Sequence, residues 1–165
     1  MDCLAVLDVS GAALERGRTR VGAAAEGLTW IEADVTEDWS LKPMDIWHDR
    51  AVFHFLVAPT DRRRYVAALQ STLKPQGTAI LATFAPNGPE KCSGLPVVRY
   101  SPESLGKKLG SAFDLVDSMD YLHVTPWGAS QNFQYSRFIF RANPSVLLNR
   151  KGDINCGLVE RLANR

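Results

Sequence analysis

The sequence predicts an α/β domain, a mostly parallel sheet flanked by helices, with an antiparallel hairpin on its C-terminal side. Three observations lead there. Apolar and β-branched runs recur at Leu4–Val9, Leu28–Glu32, Asp45–His48, Thr78–Phe84, Phe113–His123 and Gln131–Arg141. Helix-compatible stretches fill several of the gaps between them. The run "TAILATF" is apolar on both faces, as a strand sandwiched between two layers must be.

Each element follows from local chemistry. The opening "MDCLAVLDVSGAAL" is a strand that ends on Asp8 and passes through Val9, Ser10 and Gly11 into a helix, with Ser10 as N-cap. Leu14 and Val21, a heptad apart in an alanine-rich stretch, let that helix lay one face on a sheet. In "PTDRRRYVAALQSTLKPQG", Thr60 is the expected cap, Tyr65, Leu69 and Leu73 share a face, and Pro75 and Gly77 end the helix. "APNGPEKCSGLP" carries three prolines and two glycines and reads as a loop beyond a strand's C-terminal end, where open α/β sheets hold ligands. "SPESLGKKLG" offers Ser101 as cap, Pro102 in the first turn and Glu103 beside the positive helix end. No full capping box is expected, because Ser104 stands at its third helical position. The closing runs pair around "TPWGAS". Residues 1–141 form the domain, and 142–165 form a tail with a short helix expected near Leu158–Leu162.

Composition narrows the function. Nineteen basic against 18 acidic residues give a net charge of +1, so no bulk field points to nucleic acid or an anionic membrane, and Arg62-Arg63-Arg64 reads as a solvated helix face. Cys3, Cys92 and Cys156 are odd in number and far apart, which argues against a disulfide framework and against a zinc cluster. His48, His54, Cys92 and His123 make no tight ligand set, so no metal is expected. No run approaches the roughly 20 apolar residues of a membrane span. A cytoplasmic protein is the expectation.

The order of "VLDVS", "WIEADV", "DIWHDRAVFHFL" and "LKPQGTAILATF" resembles the second to fifth strands of class I, Rossmann-like S-adenosylmethionine-dependent methyltransferases, over about residues 4–141. That resemblance implies a Rossmann-like fold, S-adenosylmethionine as cofactor, and methyl transfer by in-line displacement to a small-molecule or protein acceptor. Asp49-Arg50 resembles the Asp-Lys element of some protein-lysine methyltransferases. The family's first strand, glycine-rich turn and first helix would precede Leu4, so the domain reads as truncated at its N-terminus.

The resemblance also assigns residues. Asp8, with Val9, would hold the ribose hydroxyls through charge-assisted hydrogen bonds. Asp34 and the Val35 backbone would meet the adenine. Trp47 and His48 would complete the cofactor side, and His48, Asp49 and Arg50 would form the reacting face, where positioning matters more than any one base. Arg99, Tyr100, Trp127 and Gln131 are the candidates for the acceptor side. A rival reading is a catalytically inactive binding module. The absent central strand would leave two sheet edges unpaired, so Leu4–Val9 is expected to close directly onto Asp45–His48, with self-association as the other outcome.

Overall fold

The computed structural model describes residues 3–141 and 156–160. Its centre is a seven-stranded sheet built from β1 (Leu4–Asp8), β2 (Leu28–Glu32), β3 (Met44–Arg50), β4 (Leu73–Phe84), β7 (Phe113–Val124), β8 (Ser130–Phe140) and β9 (Cys156–Glu160), with β5 (Lys91–Cys92) and β6 (Leu95–Pro96) forming a separate small hairpin. The spatial order is β2-β1-β9-β3-β4-β8-β7. β1 pairs with β2 and β3 with β4 in parallel, whereas β8 runs antiparallel to β4 and to β7. The expected mostly parallel sheet with a C-terminal hairpin is what forms.

Strand β9 overturns the expectation for the gap. It lies parallel between β1 and β3, setting Leu158 opposite both Leu4 and Ile46, and Glu160 opposite both Val6 and His48. Leu4–Val9 therefore does not close onto Asp45–His48. The helix expected near Leu158–Leu162 is a strand as far as Glu160, and the rest of the tail, 142–155 and 161–165, lies outside the described residues. The physical reason is that a slot between two parallel strands satisfies backbone donors and acceptors on both edges at once, and this outweighs a weak local helix preference. Cys3, at the entrance to β1, is disulfide-bonded and Cys92 is a free thiol, so the expectation of no disulfide fails at Cys3. Sequence spacing carries no record of neighbours brought together by strand pairing.

Helices α1 (Gly11–Val21), α2 (Pro59–Thr72) and α3 (Pro102–Leu109) flank the sheet. Ser10 caps α1 as expected, its side chain accepting from the Ala13 N–H. The N-cap of α2 is Ala58 rather than Thr60, because Pro59 takes the first helical position, where its missing N–H costs nothing. At α3 the capping box is present after all: Ser101 Oγ accepts from the Ser104 N–H at 3.2 Å, and Ser104 Oγ accepts from the Ser101 N–H at 2.9 Å. A serine can fill the role usually given to Glu or Gln. The main core lies where α2 and α3 cover the sheet, with Trp47, Phe53, Tyr65, Leu69, Leu81 and Phe138 buried together. A smaller cluster of Ala51, Ala82, Phe84 and Phe133 holds together the ends of β3, β4 and β8. No helix among the described residues is long and apolar enough to cross a membrane.

Candidate functional site

At the C-terminal ends of the parallel strands lies a cleft of about 510 Å³. Its polar end is made by Asp8, the last residue of β1, with Val9, and by Asp34 and Val35 after β2. Its remaining wall comes from Ala51 and Val52 after β3, from Phe55–Val57, and from Cys92, Ser93, Leu95 and Pro96 on the small hairpin. Opposite ends of one cleft therefore differ in chemistry: two carboxylates at one, almost unbroken apolar surface at the other.

The two acids are held alike. Asp8 is buried, and its Oδ1 accepts from the Ser10 N–H at 2.8 Å. Asp34 Oδ1 accepts from both the Thr36 N–H and the Thr36 hydroxyl at 2.8 Å. These are Asx turns, which fix each carboxylate while leaving its second oxygen to accept from elsewhere. The strands themselves set the spacing, because Asp8 pairs with Glu32, two residues before Asp34.

Beyond β3 the backbone turns sharply. Ala51 has φ of +66°, a region that costs a residue with a side chain, and its N–H donates to the Ala82 carbonyl at 2.9 Å. The turn is held from beneath by Asp49, which is fully buried; its Oδ1 accepts from the Val52 N–H at 2.9 Å, and its Oδ2 from the Phe53 N–H at 3.1 Å and the Tyr65 hydroxyl at 2.5 Å. Trp47 Nε1 donates to the same Tyr65 oxygen at 2.9 Å. Strand alternation explains why: Trp47 and Asp49 share the face that packs on α2, while His48 and Arg50 share the other. Trp47 and Asp49 thus belong to the core beneath the cleft, not to its wall.

His54 is buried beside the cleft residue Phe55, and its Nδ1 accepts from the Phe84 N–H at 3.3 Å. Burial lowers its pKa to about 4, so the imidazole is neutral at pH 7. Burial pushes the Cys92 thiol up, against a smaller opposing pull from its hydrogen bond with Ser93, and Cys92 stays protonated.

Of the residues singled out in the sequence, the structure brings Asp8, Val9, Asp34 and Val35 to one cleft. Trp47, His48, Asp49, Arg50, Arg99, Tyr100, Trp127 and Gln131 do not line it. Arg99 holds the preceding loop, donating to the Gly88 carbonyl at 3.2 Å and pairing with Glu90. Tyr100 is in the core, Trp127 stands exposed at the tip of the β7–β8 hairpin, and Gln131 lies on β8 opposite His123. Ala51, Val52, Phe55, Leu56 and Val57 are wall residues that were not singled out, although the resemblance puts a post-strand site in "DIWHDRAVFHFL", which holds the first four. For Cys92, Ser93, Leu95 and Pro96 there was a signal, the proline- and glycine-rich stretch read as a ligand loop.

No protein-family model matches the sequence, and no curated protein matches it. The fold, however, is found in many solved structures. The N-methyltransferase NodS from Bradyrhizobium japonicum is similar over 85% of this chain and 74% of its own, with 18% identity and a TM-score of 0.66. A S-adenosylmethionine-dependent methyltransferase from Methanosarcina mazei is similar over 86% of this chain and 93% of its own, with 12% identity and a TM-score of 0.65. The glycopeptide N-methyltransferase MtfA, solved with S-adenosylmethionine, is similar over 84% and 72%, with 16% identity and a TM-score of 0.60. A mostly parallel sheet with paired acids at its strand ends, and likeness of this extent, give one conclusion: the chain has the fold of the class I, Rossmann-like S-adenosylmethionine-dependent methyltransferases.

Proposed function

We propose that the protein is an enzyme that binds S-adenosylmethionine in the cleft and transfers its methyl group to a small-molecule acceptor, acting in the cytoplasm. The observation that carries this is the pair Asp8 and Asp34, fixed at neighbouring strand ends over one cleft. The residues present fit the cofactor. The second oxygen of Asp8 can accept from ribose hydroxyls and that of Asp34 from an adenine amino group, while Val9, Val35 and Phe55 offer apolar surface to a planar ring. When bound, S-adenosylmethionine supplies a methyl carbon activated by a sulfonium, which an acceptor attacks in line with the departing thioether. The chain's part is to hold and orient. The Asp49–Tyr65–Trp47 network fixes the turn at Ala51 and Val52, so that the wall beyond β3 keeps its shape, and the small hairpin supplies part of the apolar lining.

A second reading rests on β9. The strand fills the slot in which the resemblance places the strand leading to a glycine-rich turn, and no basic side chain lines the cleft among the described residues. On that reading the chain is a binding module without turnover. Amide shifts measured while S-adenosylmethionine is added decide whether the cleft takes the cofactor. The proposal expects the largest changes at Val9, Val35 and Val52; unchanged shifts there, in folded protein, would contradict it.

A further inference from the structure

We infer that the face of the sheet next to the cleft carries a binding ledge for a planar, carboxylate-bearing small molecule, and that this is the chemical class of the methyl acceptor. The second half of the inference rests on the methyl-transfer reading above; the first half does not. Arg50, at the end of β3, is opposite Ala82 of β4, which is opposite Tyr135 of β8. Because Ala82 carries only a methyl group, the Arg50 side chain can reach across the strand, and its guanidinium carbon lies 5.5 Å from the centre of the Phe133 ring. Arg50 Nε is buried without a hydrogen-bond partner. No carboxylate pairs with Arg50 among the described residues, although Arg137 and Arg141 on the same hairpin pair with Asp117 and Asp114.

Further rings lie beside Phe133 and its neighbour Tyr135. On β7, Tyr121 and His123 stack at 6.4 Å with 28° between their planes; His123 lies 6.2 Å edge-on to Phe133, and Tyr121 lies 6.1 Å edge-on to Tyr135. Tyr121 and Met119 are exposed, so the ledge is open to solvent. It is also continuous with the cleft, because Ala51 and Cys92, which line the cleft, pack in the same cluster as Phe133 and Tyr135. A guanidinium fork matches a carboxylate in two parallel hydrogen bonds, and ring faces favour a flat apolar body. Charge decides between ligand classes here: a neutral ring leaves Arg50 Nε buried and unpaired, and a non-planar anion forfeits the stacking.

The test is titration of the full chain with three probes, 1-naphthoate, 1-naphthalenemethanol and cyclohexanecarboxylate, followed by calorimetry and by amide shifts. The ledge predicts that 1-naphthoate binds about tenfold or more tightly than either of the others, with shifts at Tyr121, His123 and Phe133. Arg50→Gln and Tyr121→Leu should each weaken it several-fold, whereas Arg50→Lys should restore part of the loss in Arg50→Gln. Tyr121 is exposed, so its variant keeps the inference testable even if Arg50→Gln fails to fold. Equal affinity for the acid and the alcohol, or shifts confined to Val9 and Val35, would overturn the ledge. S-adenosylhomocysteine, titrated into the protein with and without bound 1-naphthoate, should bind in both cases without displacing it. Its failure to bind would remove the methyl-acceptor role and leave the ledge standing as a binding site.

Discussion

Asp8, at the end of β1, and Asp34, two residues past the end of the adjacent parallel strand β2, each tie down one oxygen to the backbone N–H two residues ahead, at 2.8 Å in both cases. This shared geometry makes the two carboxylates rigid acceptors before any ligand arrives, so little ordering is left for binding to do.

Replacing Asp8 with Ala should weaken S-adenosylhomocysteine binding by about 1.5–3 kcal/mol, the range for hydrogen bonds to a charged group. Asp8→Asn keeps the size and the contact to Ser10 while removing the charge, and should show a smaller loss. Calorimetric affinities of the two variants check this; a folded Asp8→Ala protein with wild-type affinity would remove the role.

Asp49 should reveal itself as a residue of the fold. Its side chain is committed to the Val52 and Phe53 N–H groups and the Tyr65 hydroxyl, so Asp49→Ala should lower stability by about 3 kcal/mol in urea unfolding, since buried donors are left unpaired. Tyr65→Phe should cost about 1–3 kcal/mol by stranding Trp47 Nε1. If Asp49→Ala keeps wild-type stability, the turn does not depend on it.

His54 gives a pH signature. Its folded pKa, lowered by burial to about 4, lies below the ordinary histidine value of 6.5, so between those two values the unfolded chain binds the extra proton. Stability contributed by the neutral imidazole is fully present above 6.5 and is lost as pH falls toward 4, by about 3 kcal/mol in total. Comparison with His54→Gln in urea unfolding between these pH values isolates the effect; parallel curves for the two proteins would refute it.

Ending the chain at Arg141 removes β9 and opens the edges of β1 and β3 in the middle of the sheet. The shortened protein should lose its cooperative unfolding transition or associate, and a peptide of residues 142–165 added in trans should restore a single transition. A shortened monomer with full cooperativity would show that β9 is dispensable.

The strands that carry their own pattern were legible in the sequence. "TAILATF" is apolar on both faces because both faces are buried, and "VLDVS" announces a strand, an acid and a capped helix within a few residues. Asp8 and Asp34 could be found for the same reason, since a strand end fixes where its next side chain goes. What escaped depends on distant partners. The two open edges, at Leu4–Val9 and Asp45–His48, follow from the order of strands, but nothing local in the tail's "CGLVE" says that this segment fills the slot between them. Asp49 looks like a catalytic acid in "WHDR" until Tyr65, sixteen residues on, is seen to occupy it. Trp127 and Gln131 were read from residue type alone, and residue type does not say which side of a hairpin faces the cleft.

The central claim, that the cleft above Asp8 and Asp34 holds S-adenosylmethionine, is tested most directly by calorimetric titration of the full chain with S-adenosylmethionine and its demethylated product, alongside Asp8→Ala. The account predicts saturable single-site heat for both ligands in the wild-type chain and a clear loss of affinity in the variant. No heat from either ligand, in protein shown by circular dichroism to be folded, would contradict it.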